Sequence, residues 1–142
     1  MKFTDYSNAK CGLNAAGVAG IDLRVASAMS LPYPDGYFDA VISTGSLHHW
    51  KDPVSGLNDV YRVIRPGGHA LVYDLIRKIP ADITSQVKSQ FGSFRFTLLF
   101  LHSLEEPFYS PAEMEALAEK TLFGSGCTRF IGALCRLTMS KV

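Results

Sequence analysis

The hydrophobic positions in the middle of the chain predict strands and helices in alternation. The β-branched run over 38–43 is typical of a buried strand, and it stops at small polar residues. Asp52-Pro53 predicts a helix start, because aspartate caps free amides and proline suits the first helical position. Helical spacing continues through Ile64 until Pro66-Gly67-Gly68. The nearly continuous apolar run over His69–Asp74 predicts a second buried strand.

Two weaker patterns and a turn precede this unit. Residues 5–17 carry apolar positions along one side and predict a helix that ends at Gly17. Apolar and polar residues alternate over Ile21–Ala28, which predicts a short strand. The segment 31–36 contains two prolines and the pair Asp35-Gly36. This composition predicts a turn and excludes a helix interior.

The segment that follows the second strand has a less regular pattern. Its apolar positions over 79–104 predict one or two helices, interrupted near Gly92. The aromatic-rich cluster Phe91–Leu101 has two interpretations, a packed core or an apolar substrate pocket.

The C-terminal part predicts a helix and then a hairpin. Ser110-Pro111-Ala112-Glu113 is a capping box, which opens a helix through Lys120. Two strands at 128–131 and 133–139 join at Gly132. The whole pattern predicts one α/β domain with a mainly parallel sheet and an antiparallel strand near the C-terminus.

Composition narrows the classes of function. The 142 residues are 47% hydrophobic and carry a formal net charge of +1, which gives no reason to expect a nucleic-acid or membrane partner. Three cysteines without CxxC spacing favour reduced thiols in a cytoplasmic protein over disulfides or a metal site. The start shows no signal-peptide pattern. The most apolar stretch, Phe94–Leu104, is too short to cross a bilayer.

A succession of motifs carries a resemblance to a known family. Residues 28–39, which read AMSLPYPDGYFD, resemble the pattern DA..LP(F/Y)PDGSFD of class I S-adenosylmethionine-dependent methyltransferases. The same order continues through Leu47-His48-His49-Trp50, Asp52-Pro53, the segment YRVIRPGG at 61–68 and a strand that ends at Asp74. Together these motifs resemble the type 11, ubiquinone/menaquinone-type methyltransferases.

The resemblance implies a Rossmann-like sheet with S-adenosylmethionine outside the carboxyl ends of its strands. It implies that one loop lies along the adenine, that the end of the strand at 38–43 receives the methionine amino group, and that the next loop lies beside cofactor or substrate. The residues so implied are Ser27, Ala28, Met29, Ser43, Thr44 and His48. It implies a small-molecule acceptor and no single catalytic residue, because catalysis in the family is largely positioning.

Other interpretations of the polar residues stay open. His48 and His49 have a loop-packing or helix-capping interpretation, and a general base is a further alternative. Asp74 either faces the substrate or caps the turn that follows it. Asp39 is expected to be structural.

The chain departs from the family pattern at its N-terminal side. The glycine-rich turn and the ribose-binding acid are not found, since Gly12, Gly17 and Gly20 lack the spacing. The resemblance makes Ile21–Ala26 the third strand and puts Ser27 where the family usually has an aspartate. It therefore implies an N-terminally truncated domain that lacks the first two strands.

Such a domain would leave a bare edge on the strand at 40–43, which has three possible explanations. The chain is a fragment, or it pairs that edge with another chain as a homodimer, or it moves its own third strand there. The expected division is a cofactor-side core at 1–78, a variable substrate or lid region at 79–107, and a C-terminal helix and hairpin at 108–142.

Two functions follow as expectations. The first is an S-adenosylmethionine-dependent methyltransferase of a small molecule. The alternative is a degenerate or truncated chain that does not bind the cofactor, and that acts as a partner-binding module or has no function alone.

Overall fold

The computed structural model describes residues 20–77, 79–92, 94, 97 and 107–142. The elements in chain order are β1 (Phe38–Thr44), a short 3₁₀ turn (Leu47–His49), α1 (Pro53–Val63), β2 (Ile64–Asp74), α2 (Ala81–Phe91), α3 (Pro111–Glu119), β3 (Cys127–Ile131) and β4 (Leu134–Ser140). The four strands form one sheet in the order β1-β2-β4-β3.

Helix α1 connects the parallel strands β1 and β2. The Asp52 side chain accepts a hydrogen bond from the Ser55 amide at 3.0 Å, which confirms the predicted helix start. The helix ends at Val63, earlier than the predicted stop at Pro66. The chain becomes extended at Ile64, and β2 already includes the Pro66-Gly67-Gly68 segment.

The sheet is mixed. Strand β2 pairs with β1 in parallel and with β4 antiparallel, and β4 pairs with β3 as an antiparallel hairpin. The predicted α/β class and the antiparallel C-terminal strand are confirmed. The described sheet is mixed rather than mainly parallel, because one of its three strand pairs is parallel and two are antiparallel.

Residues 21–26 instead form a largely exposed segment without helix or strand, so the predicted third strand is wrong. Ile21 and Val25 are 51% and 67% exposed. A strand needs a backbone partner along its edge, and the described residues supply only one isolated bridge nearby, between Ser27 and Ser30. Arg24 fastens the segment by donating to the Pro32 carbonyl at 2.8 Å.

Strand β1 is an edge strand rather than the buried strand that its β-branched run predicts. Ile42, at its centre, is 64% exposed. Within the described part of the chain, β1 has β2 as its one neighbour. Residues 21–26 do not pair with the outer edge of β1. This excludes the explanation in which the chain moves its own third strand, predicted at these residues, to that edge.

The C-terminal elements follow their sequence signals closely. The Ser110–Glu113 capping box is present in both directions and opens α3, as predicted. Helix α2 ends at Gly92, whose φ of +82° is easily reached by glycine. The hairpin turns at Gly132 as predicted. The predicted helix at 5–17 and most of the segment 93–106 lie outside the described residues.

The core lies between helices α1 and α3 and one face of the sheet. Its largest fully buried apolar side chains are Leu47, Leu57, Val63, Ile64, Ile76, Phe108, Met114, Cys135, Leu137 and Met139. Burial raises the pKa of the Cys135 thiol, which therefore stays protonated. None of the described helices is long and apolar enough to cross a membrane.

Candidate functional site

The candidate site lies where β1 and β2 end. Because the two strands are parallel, Thr44 and Asp74 come out at the same edge of the sheet. Gly45, with φ of +58°, turns the chain there and donates its amide to the Tyr73 carbonyl at 2.8 Å. In open α/β sheets, ligands bind outside this carboxyl edge.

A buried ion pair or hydrogen-bonded pair joins the two strand ends. His48 Nδ1 lies 2.9 Å from both carboxylate oxygens of Asp74. The side chains are 5% and 2% exposed, respectively. We call these two residues the carboxyl-edge pair. The sequence presented His48 and Asp74 as separate candidates, and the fold brings them together.

Backbone amides hold the Asp74 carboxylate in place. The His48 amide donates to one oxygen at 3.2 Å, and the Leu75 amide donates to the other at 2.9 Å. Asp74 therefore caps the following turn, which is one of its two alternatives, and it also contacts the histidine ring. A substrate-facing role for Asp74 stays a prediction. A carboxylate that accepts from several donors is fixed in position.

Two aromatic rings pack against the ring of His48. Its centroid lies 4.3 Å from that of Phe108 and 3.9 Å from that of His49. Arg77 holds the Phe108 segment, because its Nε donates to the Phe108 carbonyl at 3.2 Å and its amide donates to the Tyr109 carbonyl at 3.3 Å. The ring of His48 is thus packed against two other rings and hydrogen-bonded at Nδ1.

One polar atom of the pair has no partner. His48 Nε2 is buried and makes no hydrogen bond among the described residues. Buried polar groups are nearly always hydrogen-bonded, and an unpaired one costs about 1–3 kcal/mol. Such an atom at a ligand-binding edge is typical of a position that a ligand completes.

The predicted cofactor-binding residues fall into two groups. Ser43, Thr44 and His48 lie together at the carboxyl edge, with the hydroxyls of Ser43 and Ser46 2.8 Å apart and Thr44 exposed. Ser27, Ala28 and Met29 form a local turn, in which the Met29 amide donates to Ser27 Oγ at 3.2 Å. Their role in cofactor binding stays a prediction.

Two features of the structure were not singled out in the sequence. Phe108 gave no signal, because it lies far along the chain in a segment without a motif. Asp59 and Arg62 have the i,i+3 spacing of an ion pair on a helix, which was a usable signal. Arg62 binds both Asp59 and Asp35, and it donates to the carbonyls of Leu31 and Tyr33. We call this set the amino-edge network.

The amino-edge network fastens the predicted turn to helix α1. Asp59 also accepts from the Leu31 amide at 2.6 Å. The Arg62 hydrogen bond lowers the pKa of Asp59, and the two carboxylates raise the pKa of Arg62. The network thus joins the 31–35 turn to helix α1 through side-chain hydrogen bonds. No group of three potential metal ligands occurs among the described residues.

Comparisons with known proteins agree with this geometry. A family described as a methyltransferase domain matches residues 3–72. An uncharacterized protein of Escherichia coli strain K12, YafE, is 42% identical over 62 residues, which are 44% of this chain and 30% of that protein. A ubiquinone/menaquinone biosynthesis C-methyltransferase of Marinomonas is 35% identical over 82 residues, 58% of this chain and 32% of that protein.

A solved structure extends the similarity in fold to nearly the whole chain. The SAM-dependent methyltransferase from Aquifex aeolicus superposes with a TM-score of 0.67 at 15% identity. The match covers 96% of this chain and 63% of that one, and at this identity it concerns the fold alone. The chain thus spans about a third of the length of the two sequence relatives.

Proposed function

The chain belongs to the methyltransferase-domain family, and we propose that it acts as an S-adenosylmethionine-dependent methyltransferase on a small-molecule acceptor. The observation that carries this proposal is the carboxyl-edge pair, with the unpaired Nε2 of His48 beside the ends of two parallel strands. That is the edge at which α/β sheets bind their ligands. The relative from Marinomonas is named for quinone biosynthesis, which supports an acceptor of low molecular weight.

The described residues fit one end of the cofactor better than the other. The exposed end of β1 offers the Thr44 hydroxyl for an amino acid moiety. At the adenine side, Ser27 has no charge and already accepts from the Met29 amide, while Met29 offers a soft, 36% exposed apolar surface. When bound, the cofactor supplies an electrophilic methyl group on sulfur.

Titration calorimetry with S-adenosylmethionine tests the proposal on the full chain. We expect a saturable heat with a dissociation constant in the micromolar range. Thr44→Lys should weaken binding at least tenfold, because the longer charged side chain occupies the strand end. Ser140→Lys, an exposed change at the amino-end side of the sheet, is the matched control. No heat at millimolar ligand would overturn the proposal.

A second candidate function is a partner-binding module, and the exposed edge of β1 favours it. Among the described residues no strand pairs with the outer edge of β1, beside the 64% exposed Ile42, and such an edge is a template for strand addition by another chain. A homodimer through this edge would elute from size-exclusion chromatography at twice the monomer mass. Ile42→Lys should return it to the monomer, since a charge on an edge strand opposes pairing. A wild-type monomer at high concentration contradicts this candidate.

The remaining expectations form part of the proposal. We place the cofactor-side core at 1–78, a substrate or lid region at 79–107 and the C-terminal helix and hairpin at 108–142. The cysteine pattern supports a cytoplasmic location.

A further inference from the structure

The sheet has two faces, and helices α1 and α3 pack against only one of them. Along β4 alternate residues are buried in the core, and Leu137 is fully buried between Arg136 and Thr138. Because successive side chains of a strand point to opposite faces, Arg136 lies on the face that α1 and α3 leave uncovered. We call this the open face. Ile42, which is 64% exposed, lies on the same face, since its register partner Leu71 is paired in turn with Thr138.

Two arginines lie directly opposite each other on the open face. Arg129 of β3 and Arg136 of β4 are register partners in the C-terminal hairpin. Side chains in this position have Cβ atoms about 5 Å apart, and like charges there are destabilising. The arginine pair therefore costs stability, which a negative group between the two guanidinium groups would restore.

The described chain supplies no such negative group. Of the six arginines that the structure describes, four have a carboxylate oxygen no farther than 3.7 Å away: Arg24, Arg62, Arg65 and Arg77. The other two, Arg129 and Arg136, have no ion pair or hydrogen bond with the described residues, and Arg136 Nε is buried without a partner. Buried polar groups are nearly always hydrogen-bonded, so this pair stands apart from the other arginines.

The neighbours of the two arginines on the open face are uncharged. Tyr73 is the register partner of Arg136 on β2, and Thr138 follows two residues along β4. Both carry hydroxyl groups, which can donate hydrogen bonds to an anion. Within the described residues, the arginine pair thus has further donors beside it and no carboxylate.

We propose that Arg129 and Arg136 form a binding site for a phosphate-type oxyanion. This site goes beyond the proposed function and does not depend on it. A guanidinium group is planar and donates two parallel hydrogen bonds to a phosphate, so two opposed guanidinium groups hold one multiply charged anion from two sides. The bound anion offsets the like-charge repulsion across the hairpin. The hydroxyls of Tyr73 and Thr138 lie beside it as further donors.

Amide NMR on the full chain, titrated with inorganic phosphate at constant ionic strength, tests the site. We expect saturable shifts of amides in β3 and β4, with a dissociation constant of about 1 mM. Arg129→Gln and Arg136→Gln should each weaken binding about tenfold, because each removes one of the two charged donors. Arg65→Gln is the matched control, since it removes the same charge from an arginine that already pairs with Asp39. It should change the affinity less than about twofold.

Thermal denaturation separates anion binding from a merely structural role of the arginines. Without phosphate, Arg129→Gln should raise Tm by about 1 °C, because it removes the like-charge contact. With phosphate, the variant should gain less Tm than the wild-type chain and than Arg65→Gln. General stabilisation by phosphate excluded from the protein surface is common to all variants and cancels in this comparison. A lower Tm for Arg129→Gln together with an undiminished response to phosphate would contradict the proposal.

A second probe, phenyl phosphate, distinguishes the sources of the anion. Tighter binding of phenyl phosphate than of inorganic phosphate assigns the site to an organic phosphomonoester, whose apolar part lies on the open face near Tyr73 and Leu71. Equal affinity assigns the site to free phosphate. Amide shifts that do not saturate with either probe, or equal weakening by Arg65→Gln and Arg136→Gln, overturn the site, because the response would then report net charge alone.

Discussion

The two ends of the sheet carry polar networks of opposite character. At the amino end, Arg62 makes five hydrogen bonds to its own chain, and its side chain is 32% exposed. At the carboxyl end, His48 and Asp74 are nearly completely buried, and one nitrogen stays unpaired. In the exposed network every guanidinium N–H of Arg62 has an acceptor, whereas in the buried pair His48 Nε2 has no partner among the described residues.

The difference between the two networks helps to distinguish polar groups that stabilise the fold from polar groups that could bind a ligand. An exposed network can exchange its partners for water at little cost, so complete pairing there indicates only that it fastens a turn. A buried network has no such substitute, and an unpaired atom in it lowers stability. Its presence at a ligand-binding edge is therefore the stronger indication of a function, as with other strained or unsatisfied groups in active sites.

The largest effect on stability is expected from the buried end. Asp74→Ala leaves Nδ1 of His48 and the amides of His48 and Leu75 without their acceptor, and should lower the free energy of unfolding by about 3 kcal/mol. Urea denaturation measures this value. Asp74→Asn keeps one acceptor oxygen and should cost only about 1 kcal/mol.

The matched control for that variant is Asp39→Ala. Asp39 also pairs with a cation, Arg65, at 2.7 Å, but its side chain is 76% exposed. We expect a change within about 0.5 kcal/mol. Equal losses at Asp39 and Asp74 would contradict the contrast between exposed and buried pairs.

A smaller effect is expected at the amino end. Arg62→Met keeps the aliphatic stem but removes the three hydrogen bonds of the guanidinium to the 31–35 turn, and should lower Tm by a few degrees in differential scanning calorimetry. Arg62→Lys should recover little, because one ammonium cannot reach two carboxylates and two carbonyls in the planar geometry of guanidinium. Arg65→Met, at the exposed pair with Asp39, is the control. Full rescue by lysine would mean that charge alone holds the turn.

The smallest effect is a pH dependence at the same end. Hydrogen bonding to Arg62 holds the pKa of Asp59 below its ordinary value of 3.8. The unfolded chain therefore binds more protons near this pKa, and stability from the pair is present above that value and is lost as pH falls through the lower, folded pKa. Asp59→Asn should flatten the acid limb of a Tm–pH curve. An unchanged acid limb would show that other carboxylates dominate it.

Local signals in the sequence predicted the elements whose causes are local. The caps at Asp52 and Ser110, the break at Gly92 and the hairpin turn at Gly132 all formed where expected. Each depends on side chain and backbone within a few residues, so the sequence contains the whole cause. The family resemblance, carried by ordered motifs between Leu31 and Asp74, was likewise readable from the chain.

The alternation of apolar and polar residues over Ile21–Ala26 predicted a strand, which did not form. Such alternation indicates that one face of a strand could be buried, but it does not supply a neighbouring strand to accept and donate the backbone hydrogen bonds. Helix α1 ended early for a related reason, because pairing of β2 with β1 begins at Ile64. Tertiary context overrides local preference wherever hydrogen bonds to distant segments are available.

The sequence alone determined the family motifs and the positions of the capped helices, because these depend on neighbours along the chain. Only the tertiary structure joined His48 to Asp74, 26 residues apart, and packed Phe108 against the same ring. Parallel pairing of β1 with β2 brings the strand ends together, and burial then makes an unpaired nitrogen costly. The buried His48–Asp74 pair is therefore a property of the fold, although both residues are visible in the sequence.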